Sequence, residues 1–138
     1  MRERSLIAFT LLSQMAVGSY WTLGALYLWP GPQQWQGMVH ELAALGWPLI
    51  GPIMLLGIVA SFFHLGAPTN AWRALNNLRQ SWLSREILFA SLFAGASILF
   101  AVMLRLGLST PVVRNAVGVT TGLAGLALVY VMGRVYRL

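Results

Sequence analysis

The sequence predicts an all-α, polytopic membrane protein: a four-helix transmembrane bundle with a short interfacial helix. Three observations carry this. Only 9% of the 138 residues are charged, against about 25% in an ordinary soluble domain. Hydrophobic residues make up 58% of the chain, and the mean hydropathy is +0.72. Four apolar runs each reach the roughly 20 residues that a helix needs to cross a hydrocarbon core.

The first span is placed at about residues 6–28. Arg2 and Arg4 precede it, as in a secretory leader. The apolar run is longer than a leader's core, and no convincing small-x-small cleavage site follows. A retained first helix is therefore expected. Trp29-Pro30-Gly31-Pro32 breaks the chain, and the second span follows at about 42–65. Pro48 and Pro52 fall in its first half and point to a bend or a late helix start.

The middle connection departs from this pattern. Ala71, Leu75, Leu78 and Trp82 recur at three- and four-residue spacing among Arg73, Asn76, Asn77, Arg79 and Gln80. That is the pattern of an amphipathic helix lying in the interface over about 69–82; a solvated loop helix shares it. The third span is expected at about 86–108 and the fourth at about 113–136, joined by a tight turn at Ser109-Thr110-Pro111. Short connections make neighbouring helices antiparallel. Gly118, Gly122 and Gly125 give the fourth helix a small-residue face that admits a close neighbour. Trp21, Tyr27, Trp29, Trp47, Trp82, Tyr130 and Tyr136 fall mostly near segment ends, as interfacial aromatic belts do. All 138 residues belong to one membrane domain in this reading.

Charge and composition exclude several function classes. The net charge of +6 comes from arginine alone, since the sequence has no Lys and no Asp. The arginines sit between apolar runs, so they read as topology determinants and contacts for anionic lipid, not as a nucleic-acid surface. Arg2, Arg4, Arg73, Arg79, Arg85, Arg134 and Arg137 share one side, and Arg105 and Arg114 the other. This bias predicts cytoplasmic termini and a cytoplasmic middle connection. With no cysteine there is no thiolate metal site and no iron–sulfur ligand. His40 and His64 are 24 residues apart, about 36 Å along one helix, so they cannot share a haem. No metal or haem is expected on this chain.

Ionisable groups at membrane depth are costly and are functional candidates by default. His64 ends the second span and Glu86 begins the third, which places both on one side of the membrane. A neutral imidazole can accept a hydroxyl proton and a carboxylate can relay it, chemistry suited to quinol oxidation. Each also has a structural reading. His64 can anchor at headgroup level, and Glu86 can sit in a first helical turn, where a carboxylate complements the dipole beside Arg85. Spacing alone leaves both readings open. His40 and Glu41, in the first connection on the opposite side, read as solvated loop residues.

Three further stretches carry a family resemblance. His64-Leu65-Gly66-Ala67-Pro68, Ala71-Trp72-Arg73-Ala74-Leu75-Asn76 and Leu83-Ser84-Arg85-Glu86-Ile87 occur in order, and the sequence closes on Val131-Met132-Gly133-Arg134-Val135-Tyr136. In order and spacing these pieces resemble the membrane anchor subunit of dimethyl sulfoxide reductase, the DmsC family. Members have about eight spanning helices, so the resemblance covers the first four. It implies a menaquinol-oxidising anchor in the cytoplasmic membrane of a bacterium or archaeon, active in anaerobic respiration. Such an anchor holds a molybdopterin catalytic subunit and passes electrons to an iron–sulfur subunit. It also implies that His64 and Glu86 bind the quinol and handle its protons. Arg73 and Arg79 are expected near the pocket mouth, contacting lipid or the iron–sulfur subunit, with Arg73 counted among the quinol-binding residues. Two alternatives remain: a half-length anchor without a complete quinol site, and a small four-helix transporter. The latter usually needs a carboxylate within its first helix, and none follows Glu3 there.

Overall fold

Each apolar run becomes one long helix because no water competes for its backbone groups, so every N–H and C=O must be satisfied within the segment. The computed structural model describes residues 2–63, 69 and 71–137. It contains α1 (Arg2–Leu28), α2 (Gln33–Phe62), a short α3 (Ala71–Ala74) followed by a 3₁₀ turn (Leu75–Asn77), α4 (Trp82–Leu106) and α5 (Pro111–Val135). The four long helices are each long and apolar enough to span a membrane. The protein is a multi-pass membrane protein, and the described residues contain no strand.

Helix boundaries follow local chemistry. Ser81 caps α4 by accepting the Ser84 N–H at 3.4 Å, and Gly107 ends α4 in the left-handed region at φ 60°. Thr110 caps α5, with Pro111 in its first turn. Several boundaries differ from the sequence expectation: α1 begins at Arg2 and α4 at Trp82, each about a turn before its apolar run, and α2 ends at Phe62. α2 starts at Gln33 and runs unbroken through Pro48 and Pro52, so the prolines mark no late start. Its first turns are polar (Gln33, Gln34, Gln36, His40, Glu41), which hides them from hydropathy without preventing a helix. His40 and Glu41 are therefore helical, not loop residues. Among the described residues of the middle connection, Ala71–Ala74 form an α-turn and Leu75–Asn77 a 3₁₀ turn, instead of a continuous helix over 69–82. Asn76 and Asn77, weak helix formers, occupy the point where the α geometry stops.

The long helices pack in an antiparallel ring in which α1 meets α2, α2 meets α4, α4 meets α5, and α5 returns to α1. Lipid is as apolar as the helix surfaces, so close packing and polar ties hold such a bundle. At the waist, Tyr20 packs edge-on against Trp47 at 4.9 Å and Phe93 at 5.8 Å, and Phe100 meets Trp47 at 5.1 Å. Trp47 thus lies in the core and not in an interfacial belt, because α2 begins so early that residue 47 is mid-helix. The glycine face of α5 admits these rings. A Cβ on Gly118 would sit 2.9 Å from Phe100, and one on Gly125 would sit 3.0 Å from Phe93 and 3.1 Å from Val17. Tyr20 Oη donates to the Gly118 carbonyl at 2.6 Å and Trp21 Nε1 to the Gly122 carbonyl at 3.2 Å, closing the ring between α1 and α5.

Candidate functional site

The inward stripe of α4 reads Glu86, Ala90, Phe93, Ala94, Ser97 and Ala101, three or four residues apart for the most part. This periodicity turns Glu86 inward along with the apolar core. Glu86 is only 1% exposed, and neither carboxylate oxygen has a hydrogen-bond partner among the described residues. It occupies the second turn of α4, since the helix begins at Trp82, so it is not a first-turn dipole complement. A buried acceptor left unpartnered by protein groups is costly, and such a group calls for a partner such as an ordered water, an ion or a bound ligand.

Neighbouring helices define its level. Gly51 of α2 lies against Ser97 and Ile98. Eleven residues back along α4 is Glu86, and eleven residues onward along the antiparallel α2 is Phe62, the last residue of that helix. Glu86 therefore lies level with the end of α2. His64 follows two residues later in sequence and lies outside the described residues, as do Leu65, Gly66, Ala67 and Pro68.

Tyr136, one residue past α5, is close enough that the charge on Glu86 opposes ionisation of its phenol. Burial is the largest cause and pushes the Tyr136 pKa up; a hydrogen bond with Thr10, next in size, opposes it, and the charge and hydrogen bonding of Glu86 add to the rise. The Tyr136 phenol stands within reach of the Glu86 carboxylate and is poised to donate to it, although neither Glu86 oxygen meets full hydrogen-bond geometry among the described residues. Sequence reasoning does not single out Tyr136 and Thr10 as site residues. The nearest signal is the place of Tyr136 at the close of the fourth segment.

Arg85, Arg134 and Arg73 near this end are engaged elsewhere. Arg85 donates to the Leu78 carbonyl at 2.8 Å and the Arg79 carbonyl at 3.1 Å, fastening the connection to the start of α4. Its guanidinium and that of Arg134 both lie over the Trp82 ring, at 4.4 and 5.0 Å. Arg73 lies over Trp72 at 5.6 Å and is exposed. Arg79 is also exposed. Among the described residues, nothing groups three of His, Asp or Glu into a metal-ligating cluster.

The opposite end differs in character. A cavity of about 110 Å³ there is lined by Tyr27, Trp29, Trp35, Gln36 and His40 among others. His40 Nδ1 bonds the Gln36 carbonyl at 2.8 Å, and its ring meets Tyr27 at 5.2 Å. Because a carbonyl only accepts, Nδ1 carries the proton in this contact.

With this geometry in view, comparison with known proteins gives a consistent result. The family model described as DMSO reductase anchor subunit (DmsC) matches residues 1–138. Over 139 residues the sequence is 30% identical to the C chain of anaerobic dimethyl sulfoxide reductase from Haemophilus influenzae, covering 99% of this protein and 47% of the relative. It is 32% identical to the protein of the same name from Escherichia coli K12, covering 98% of this protein and 46% of the relative. It is also 34% identical to the C subunit of sulfite dehydrogenase from Allochromatium vinosum over 84 residues, or 61% of this protein and 26% of that relative. The chain thus spans about half the length of the curated relatives it matches over its whole extent. No solved structure matches it.

Proposed function

We propose, from the premise that this chain belongs to the DMSO reductase anchor subunit (DmsC) family, that it is the quinol-oxidising part of a membrane anchor for a molybdoenzyme. The observation that supports this most is the Glu86 carboxylate, buried at one end of the bundle with both oxygens unpartnered. An acceptor so placed is complementary to a hydroxyl that arrives beside it. Menaquinol is the substrate in this reading, and the donor set suits it: a carboxylate on α4 and an imidazole just beyond α2.

The chemistry required of the chain is proton handling. Oxidation of a hydroquinone releases protons together with electrons, and the two must leave by different routes. His64 hydrogen-bonds the quinol hydroxyl and accepts its proton, and Glu86 relays it toward water; both protons of the quinol leave in turn through this pair as its two electrons go to the partner subunit. The electrons pass to an iron–sulfur subunit and on to a molybdopterin catalytic subunit, since this chain has no cysteine to hold a metal centre of its own. Those subunits sit over the middle connection, where Arg73 and Arg79 offer charge to a partner or to lipid headgroups. The membrane is the cytoplasmic membrane of a bacterium or archaeon, with the arginine-rich end on the cytoplasmic side.

The test is fluorescence quenching of a quinol-site inhibitor in membranes carrying the protein, comparing wild type with Glu86→Gln and His64→Ala. Saturable binding that is lost in both variants supports the reading. Binding unchanged by either substitution removes that residue from the site. Absence of binding in the wild type favours the second reading, a scaffold whose quinol site needs more chain than these four helices. That reading draws on the coverage of under half of each relative.

A further inference from the structure

The start of α4 and the end of α5 hold two cations together without an acid. Trp82 opens α4, and its ring carries the Arg85 guanidinium at 4.4 Å and the Arg134 guanidinium at 5.0 Å. Arg85 lies one turn further along the same helix, while Arg134 reaches across from the last turn of α5. Like charges gathered at one ring repel. The chain has three side-chain carboxylates, and among the described residues none pairs with either arginine. Arg85 gives Nε and Nη2 to the Leu78 and Arg79 carbonyls, at 2.8 and 3.1 Å, which fixes its plane and leaves Nη1 free. Arg134 is exposed and makes no hydrogen bond or ion pair among the described residues, so its five N–H donors are open.

Toward the middle of the membrane, α5 turns an apolar stripe outward beside this pair. Tyr130, Leu126, Leu123 and Val119 run back from Arg134 at steps of three and four, and all four are exposed. Trp82 meets Tyr130 at 6.5 Å, so the indole sits at the head of the stripe. The outer surface passes from two cations at the end of the spans to about 22 Å of apolar helix.

We propose that this corner of α4 and α5 binds an anionic phospholipid, with Arg134 and Arg85 holding its phosphodiester and the stripe receiving an acyl chain. The charge selects the anion. A guanidinium pairs bidentately with phosphate, whereas a zwitterionic headgroup brings its own ammonium toward the two cations. The stripe selects a lipid over an acidic protein segment, because a soluble segment cannot follow it into hydrocarbon. Another apolar helix is a poor occupant, since it would bury two guanidiniums with no acid to pair them. This site does not depend on the quinol reading.

The full chain is stripped of lipid in a non-ionic detergent, and bound dioctanoyl lipids are counted by native mass spectrometry. One phosphatidylglycerol is expected to bind saturably, about tenfold more tightly than phosphatidylcholine. Arg134→Gln removes one charge at an exposed position and should weaken that binding about five- to tenfold, while Arg134→Lys keeps the charge and should retain more of it. Arg105→Gln removes the same charge at the opposite end and should leave the affinity unchanged. Glycerophosphoglycerol, the headgroup without chains, should compete about tenfold more weakly than the lipid, since it cannot use the stripe. No saturable binding, equal affinity for the two lipids, equal effects of Arg134→Gln and Arg105→Gln, or full competition by the bare headgroup would each overturn the proposal.

Discussion

Tyr20 and Glu86 are both polar side chains buried in the same bundle, and the bundle treats them oppositely. Tyr20 sits at the waist among Trp47, Phe93 and Phe100, with its hydroxyl bonded to the Gly118 carbonyl at 2.6 Å. Glu86 sits about three turns nearer one end, with both oxygens unpartnered. A satisfied polar group specifies which helices meet and where. An unsatisfied one weakens the fold and leaves valence for something else. The waist is therefore scaffold, and the Glu86 end is where this chain has capacity for chemistry.

The largest expected effect falls on the waist. Tyr20→Ala removes a large ring from the core and should cost about 3–5 kcal/mol. Tyr20→Phe keeps the ring and loses only the hydrogen bond, for about 1 kcal/mol. Unfolding by detergent titration measures both, and equal losses in the two variants would break the scaffold reading of the ring. Glu86→Met should do the reverse. Replacing an unpartnered buried carboxylate with an apolar side chain of similar volume leaves stability unchanged or raises it, and inhibitor binding at the proposed quinol site should be lost. A clear fall in stability would mean that Glu86 is structural after all.

The smallest effect concerns Tyr136, whose pKa is raised chiefly by burial and then by Glu86. A folded-state pKa above the unfolded value means that the folded protein favours the neutral phenol. That contribution is complete below the ordinary tyrosine pKa of about 10 and is lost as pH climbs through the raised one. Tyr136→Phe should flatten part of the alkaline decline in stability. Identical alkaline profiles for variant and wild type would detach Tyr136 from the Glu86 environment.

The spans were legible in the sequence because hydrophobicity over 20 residues is a strong, additive signal. Boundaries were less so where polarity and helicity part company. The polar turns of α2 around Gln36 and His40 are helical yet invisible to hydropathy, and that error placed Trp47 near an interface when it lies in the core. Glu86 was legible as a carboxylate at membrane depth. Its unpartnered state was not, because that depends on which groups of α1, α2 and α5 face it. The proximity of Tyr136 and Thr10 arises only when the end of α5 returns beside the start of α1, a relation between residues more than a hundred positions apart. The position of His64 on the Glu86 side remains a sequence reading, since the residue lies outside those described.

The length of α2 has a consequence beyond the bundle. At 30 residues it exceeds α4 and α5, at 25 each, by about 7.5 Å at the helical rise. The excess is the polar stretch that begins at Gln33, and it belongs to the end away from Glu86. A change in bilayer thickness is then absorbed unequally. In a thick membrane the polar turns of α2 are drawn toward the acyl chains and the helix resists; in a thin one they stand clear and the shorter helices set the fit. The protein is thus a gauge with one long leg, matched to a particular lipid thickness by the end that carries no candidate chemistry.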